Sequence, residues 1–199
     1  MKVFKISVTF GLIIAITLSV ARFDALCQNL RDNVFRLHIK ANSNSAVDQN
    51  LKLMVRDAIL LEKGEIFGEC ENLSSAIEYA KENIEEFENI AKRVIEENGY
   101  DYSVSVTVGE SYFENRQYDD FTLPAGNYEA LNIIIGDGEG KNWWCVMFPA
   151  VCIGASGNLR DCVNEESAEI SENSNKYRIK FKTVEIYEDL KNFFTKNKK

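Results

Sequence analysis

Between positions 34 and 41 apolar and polar residues alternate. Phe35, Leu37, Ile39 and Ala41 fall on one side, and Arg36, His38 and Lys40 on the other. That is the period of a half-buried strand. After the polar turn Asn42-Ser43-Asn44-Ser45 the period changes to a helical one. Val47, Leu51, Met54, Val55, Ala58 and Leu61 share a face, with Ser45 as the cap, Asp48 in the first turn and Lys63-Gly64 as the stop. A longer helix is expected from Asn72–Ser75 to Asn98-Gly99, opened by a Ser75/Glu78 capping box. Its stripe Ile77, Ala80, Ile84, Phe87, Ala91 and Val94 is too short to favour a coiled coil over packing on a sheet. Tyr102, Val104, Val106 and Val108 alternate with Asp101, Ser103, Ser105 and Thr107, which predicts a strand. Residues 111–121 are aromatic and polar without a period, and Leu123-Pro124-Ala125-Gly126 is a turn. Tyr128–Ile135 reads as another strand, Gly136-Asp137-Gly138-Glu139-Gly140 as a hairpin connection, and Asn142–Phe148 as the strand returning from it, stopped by Pro149.

The expected fold class is α+β. One domain over residues 30–154 has the order β-α-α-β-β-β, a mixed or antiparallel sheet of about four strands, and two helices on one face. Residues 155–175, rich in Ser, Asn and Glu, read as a flexible linker. Residues 176–199 form an amphipathic tail with Val184, Ile186, Tyr187, Leu190 and Phe194 on one face. The tail is expected to dock on the domain, the other placement being a membrane surface.

The N-terminus changes the picture. Lys2 and Lys5 precede an uncharged run from Ile6 to Val20, and Ser19-Val20-Ala21 supplies small residues at a peptidase site. Residues 1–21 therefore read as a signal peptide or, second, an uncleaved anchor, with a buried helix as the plainest alternative. Leu26 before Cys27 is too large for a lipidation site. The chain has 199 residues, 45% hydrophobic and 27% charged, with net charge −8, and is more negative still without Lys2 and Lys5. Such a body is repelled by nucleic acid and anionic lipid. The cysteines number five, Cys27, Cys70, Cys145, Cys152 and Cys162. An odd count in an exported chain leaves a thiol over. Cys145 and Cys152 flank the turn at Pro149 and either close a disulfide or stay as buried thiols.

Chemical motifs are sparse. His38 is the single histidine; no CxxC or HExxH occurs, and no metal or cofactor is expected. A Cys145–His38 dyad oriented by Asp48 or Asn44 would make an envelope hydrolase, yet Trp143-Trp144-Cys145-Val146-Met147-Phe148 predicts a buried, protonated thiol. Neighbouring Trp143 and Trp144 point to opposite faces of a strand, so either one enters the core and the other is displayed to a partner, or both are buried structural rings.

Several blocks in register resemble the stage II sporulation protein R family. They are Val34-Phe35-Arg36-Leu37-His38-Ile39, Ala41-Asn42-Ser43, Asp48-Gln49, Val55-Arg56-Asp57-Ala58, Gly99-Tyr100-Asp101-Tyr102, Leu123-Pro124-Ala125-Gly126 with Tyr128-Glu129-Ala130-Leu131, and Asn142-Trp143-Trp144-Cys145-Val146 with Phe148-Pro149. Lys40 and Asn127 depart mildly from the pattern. The resemblance implies a protein without known catalytic residues. It would be made in the forespore and secreted across the forespore membrane into the intermembrane space. There it would activate a membrane-embedded aspartic protease that matures a mother-cell sigma factor. Arg36, His38, Arg56, Asp57, Pro124, Gly126, Trp143 and Trp144 are the expected partner contacts.

Overall fold

In a computed structural model the described residues are 1–151 and 158–196. The elements in chain order are α1 (Lys2–Arg31), β1 (Phe35–Lys40), α2 (Ala46–Glu69), α3 (Leu73–Glu82), α4 (Ile84–Glu97), β2 (Val104–Phe113), β3 (Arg116–Gln117), β4 (Thr122–Leu123), β5 (Gly126–Ile135), β6 (Asn142–Phe148), α5 (Glu165–Glu172) and α6 (Ser174–Lys196). The fold is α+β, with a mixed four-stranded sheet, as expected. Two compact units emerge. One comprises Asn33–Ser111 with Asn127–Cys162, the other Met1–Asp32, Tyr112–Gly126 and Val163–Lys199.

The sheet of the first unit has the order β2-β5-β1-β6. β1 runs parallel to β5, with Leu37 beside Leu131, and antiparallel to β6, with Leu37 beside Cys145. This corrects the hairpin expectation: β5 and β6 are not neighbours, because β1 lies between them. Alternation along β1 places Phe35, Leu37 and Ile39, all fully buried, in one core with Leu51, Val55 and Ile59 of α2, Ala76 and Ala80 of α3, and Phe87, Ile90 and Val94 of α4. Each such side chain contributes roughly 1.5–3 kcal/mol of burial.

Three boundaries differ from expectation, each for a packing reason. α2 continues through Gly64 to Glu69. Phe67, three residues on, is fully buried against Phe35 (6.0 Å) and Phe87 (6.3 Å), and this offsets the cost of about 1 kcal/mol of a helical glycine. The single long helix is two, broken at Asn83, whose Nδ2 donates to the Tyr79 carbonyl at 2.8 Å. The capping box is Asn72 with Ser75, each side chain bonding the other's backbone N–H, rather than Ser75 with Glu78. Within the expected linker, Glu165–Glu172 is helical, capped by Asn164 and burying Ala168, Ile170 and Ser171. Eight residues with a mixed Ala/Ser/Ile stripe are too few to show a helical period.

In the second unit α1, α5 and α6 pack together with the β3–β4 hairpin. Ser167 Oγ donates to the Leu26 carbonyl (3.1 Å) and Ser171 Oγ to the Thr122 carbonyl (2.7 Å). Arg31, 4% exposed, donates to Ala125 O at 3.0 Å, Asp24 at 3.1 Å and Gln28 at 2.8 Å, and lies 3.9 Å from Glu188. A guanidinium buried this deeply is tolerable because its donors are occupied. The tail packs in this unit through Phe181 and Val184, but of the face expected to be apolar only Val184 is buried; Ile186, Tyr187, Leu190 and Phe194 are exposed. Burial pushes the Cys27 thiol up to about 12, against the opposing pull of Arg31.

The step from β5 across the end of β1 to β6 needs a clamp. Glu139 N donates to Asn42 O (3.0 Å), Gly140 N to Ala41 O (2.9 Å), Asp137 N to Asn42 Oδ1 (3.0 Å) and Lys141 N to Asn44 Oδ1 (2.9 Å). A side chain at position 140 would bring its Cβ within 2.3 Å of the Ser43 carbonyl, so only glycine fits. Asp48 braces the clamp from the helix side. Its carboxylate accepts from Ser43 Oγ (2.5 Å) and Asn42 Nδ2 (3.1 Å), and its N–H donates to Ser45 Oγ (3.1 Å). The Ser43 hydrogen bond holds the carboxyl below its ordinary value, burial opposes it, and bonds from Asn42 and Tyr102 add to the lowering. A carboxylate with a lowered folded pKa stabilises above its unfolded value of about 4 and loses that stabilisation as pH falls through the folded one. Asp48→Asn is therefore expected to cost about 1–3 kcal/mol at pH 7. Thermal melts should show the gap to wild type closing toward acid pH; a gap independent of pH would mean that the charge does not matter.

Candidate functional site

The sheet face opposite α2, α3 and α4 is built by the other parity of each strand. Ser105, Thr107 and Ser111 come from β2, Asn132 and Ile134 from β5, Arg36, His38 and Lys40 from β1, and Asn142, Trp144 and Val146 from β6. Toward Arg36 and Val146 this face is buried; toward Lys40, Ile134 and Asn142 it is open or half-open.

A hydrogen-bonded ribbon crosses it. Ser111 Oγ donates to Asn132 Oδ1 (2.8 Å), His38 Nδ1 meets the same oxygen (3.0 Å), and His38 Nε2 meets Asn142 Oδ1 (2.9 Å). Asn132 Nδ2 donates to the Ala130 carbonyl (3.2 Å), which fixes the orientation of that amide. Asn132 Oδ1 is thus an acceptor, and the His38 Nδ1 carries a proton. The ribbon holds the imidazole upright beside Trp144, its partner across the β1–β6 ladder.

The same ladder separates His38 from Cys145. Cys145 pairs with Leu37, one residue away from His38, so it points to the opposite face. It is 5% exposed and belongs to the core with Ile39 and Met147. The Cys145–His38 dyad is therefore corrected: the sheet itself stands between the two groups, and Asp48 is engaged in the clamp. The Cys145–Cys152 pairing lies outside the described residues on the Cys152 side. Burial raises the Cys70 and Cys162 thiols above their ordinary values. Among the described residues no group of three His, Cys, Asp or Glu is placed to hold a metal ion.

The other expected contacts fall in separate places. Trp143 turns toward the core side, where the Arg56 guanidinium lies 4.3 Å from its ring, and Arg56 Nε donates to Asp57 Oδ1 (2.7 Å). Asp57 is exposed and Arg56 half-buried, so α2 and β6 together present a cation–π pair capped by a carboxylate. Arg36 is fully buried, its guanidinium 4.8 Å from the Tyr128 ring. Pro124 and Gly126 are buried in the second unit, where a Cβ at position 126 would lie 2.5 Å from Arg31 Cδ. In this structure these three serve packing and offer a partner little surface. Sequence reasoning passed over Ser111, Asn132 and Asn142. Asn132 carried a visible signal, a carboxamide inside the apolar run Leu131–Ile135.

Comparison with known proteins agrees with the motif blocks. Residues 31–158 match the family described as stage II sporulation protein R (spore_II_R). Stage II sporulation protein R of Bacillus subtilis (strain 168) is 35% identical over 159 residues, covering 80% of this chain and 67% of that protein. No solved structure matches the chain.

The two tryptophans are expected to separate experimentally. Trp143→Ala should lower stability by about 3 kcal/mol, through lost packing and the lost Arg56 contact. Trp144→Ala should leave the melting midpoint within a few degrees of wild type. Equal losses at both positions would mean that Trp144 too is a packing residue.

Proposed function

The chain belongs to the stage II sporulation protein R family, which gives it a role in sporulation, and from that premise we propose that it is an exported intercellular signal. It crosses the forespore membrane and activates a membrane-embedded aspartic protease, which then matures a mother-cell sigma factor. The observation that carries this reading is the family match from Arg31 through the sheet and its three covering helices. The N-terminal helix, whose residues 1–22 are all exposed and mostly apolar between Val3 and Ala21, supports the export step. The acidic body, and a sheet that puts Cys145 and His38 on opposite faces, suit a ligand.

Activation by a ligand requires better binding to the active state of its partner than to the inactive one. The surface assigned to that task is the open sheet face at His38 and Trp144, together with Arg56, Asp57 and the adjoining edge of Trp143. Trp144 is half-buried beside an imidazole that the hydrogen-bonded ribbon holds in place, so ordering it on binding costs little rotamer entropy, and Trp and Arg dominate interface energies.

Co-expression of the full chain with the membrane protease and its pro-sigma substrate tests this. Processing is expected with the full chain and absent when Lys2–Ala21 is deleted. Trp144→Ala is expected to reduce processing about thirty-fold at unchanged export, corresponding to a hot-spot loss of about 2 kcal/mol. Full processing by the deletion variant would remove the export reading. Full processing by Trp144→Ala and Arg56→Ala alike would move the partner surface elsewhere.

A further inference from the structure

α1 is one uninterrupted helix from Lys2 to Arg31, and the nature of its surroundings changes in the middle. Residues 1–22 are all exposed, and the first buried side chain is Phe23, 3% exposed. From there Cys27 and Leu30 are fully buried in the second unit. The small residues Ser19-Val20-Ala21, which read as a peptidase site, thus lie inside a helix, two residues before Phe23, which is buried in a folded core.

The lock at this level is specific. Arg22 Nη2 bonds the Glu166 carboxylate at 2.9 Å and 3.0 Å. The Phe23 ring stacks on Tyr177 (5.8 Å) and meets Phe181 edge-on (5.1 Å). Lys180 Nζ sits 5.5 Å from the Phe23 ring and 5.9 Å from the Tyr177 ring. The first turns of α6 therefore stand beside the point where the apolar stretch ends, with Lys176 and Arg178 exposed and Ile179 85% exposed. α5 runs back along α1 to the same point, as Asn164 N meets Asn29 and Ser167 meets Leu26, and brings Glu169 with it. Together these residues form a collar of both charge signs with an aromatic layer, the composition suited to a phospholipid headgroup region.

We propose that α1 is not removed but stays as the membrane span of the working protein, with the Arg22–Phe23–Tyr177–Lys180 collar seated in the headgroup layer. The proposal rests on the export reading above. The helix from Lys2 to Ala21 rises about 30 Å, the thickness of the bilayer's hydrocarbon core. The span is longer than the run Ile6–Val20 alone, because Val3 and Phe4 are helical and apolar and Lys5 can reach back to the surface. A peptidase must draw the residues around its scissile bond into an extended conformation. Here that requires unwinding the turn that carries Arg22 and Phe23. A cut after Ala21 would also leave Phe23 in the first turn of a new helix, where backbone N–H groups have no partners.

The test uses the full chain with a C-terminal tag in an exporting cell. Carbonate-washed membranes are expected to retain a protein of the full 22.7 kDa plus tag by intact mass, digestible by protease added on the far side. In Thr17→Pro, which breaks the helix while leaving Ser19-Val20-Ala21 in place, a shortened protein is expected in the medium. A wild type shortened after Ala21, or a Thr17→Pro protein that remains full length in the membrane, overturns the proposal. A domain protected from external protease overturns the export reading, and the anchor with it.

Discussion

A strand inserted between two consecutive strands sets the terms for the sheet. β5 and β6 follow each other in sequence, yet β1 lies between them, so the connecting residues must cross the end of β1 at close range. Backbone polar groups at such a crossing need partners that move with neither strand alone. The segment after β1 supplies them: Ala41 and Asn42 through carbonyls, Asn42 and Asn44 through side chains. Asp48, one turn into α2, ties Asn42 and Ser43 to the helix. Lys52 extends the brace by donating to the Lys141 carbonyl at 3.0 Å. One short polar run thereby fixes the strand order, the start of α2 and the register of β6 together.

That register decides what the sheet can do. Because β6 is held with Trp144 opposite His38 and Cys145 opposite Leu37, the thiol enters the core and the imidazole does not. A slip of one residue would exchange them and place Trp144 among the helices. The polar ribbon depends on the same alignment, since Asn142 and Asn132 reach His38 only from these positions on the flanking strands. A histidine with carboxamides on both sides is suited to holding an orientation. Cys145, opposite Leu37, lies on the other face of the β1–β6 ladder from it.

Strand identities were legible where one face is apolar and the other polar, as in β1 and in the Val104–Val108 stretch of β2; β6, apolar on both parities after Asn142, was legible from the glycine-rich connection before it and Pro149 after it. Strand neighbours were not legible, because alternation reports a buried face and says nothing about which strand lies alongside. The reading of Gly136–Gly140 as a hairpin turn followed from local composition, and the insertion of β1 is a long-range fact. Gly64 was read as a stop by propensity, which Phe67 overrides through packing. Of the expected contacts, His38, Trp144, Arg56 and Asp57 lie where side chains meet solvent, whereas Arg36 looked equivalent to His38 by parity and is fully buried. Alternation fixes the face of a sheet on which a residue sits; whether another layer covers that end is outside its reach.

The motif blocks that carry the family resemblance therefore do two kinds of work. Ala41-Asn42-Ser43 and Asp48-Gln49 are the crossing clamp, with Gln49 Nε2 bonding the Ser43 carbonyl at 2.8 Å. Ala125-Gly126 receives Arg31, and its carbonyl and missing Cβ are both used. These residues account for their presence by architecture alone. His38 and Trp144 are different. A half-buried histidine requires partners, and the ribbon provides them at the expense of apolar packing that Ser111, Asn132 and Asn142 would otherwise contribute. A sheet face needing only stability would be better served by aliphatic side chains under a covering layer. The polar ribbon beside a tryptophan makes sense where that face meets another molecule, which is why the proposed partner surface is drawn on β1 and β6 rather than on the clamp.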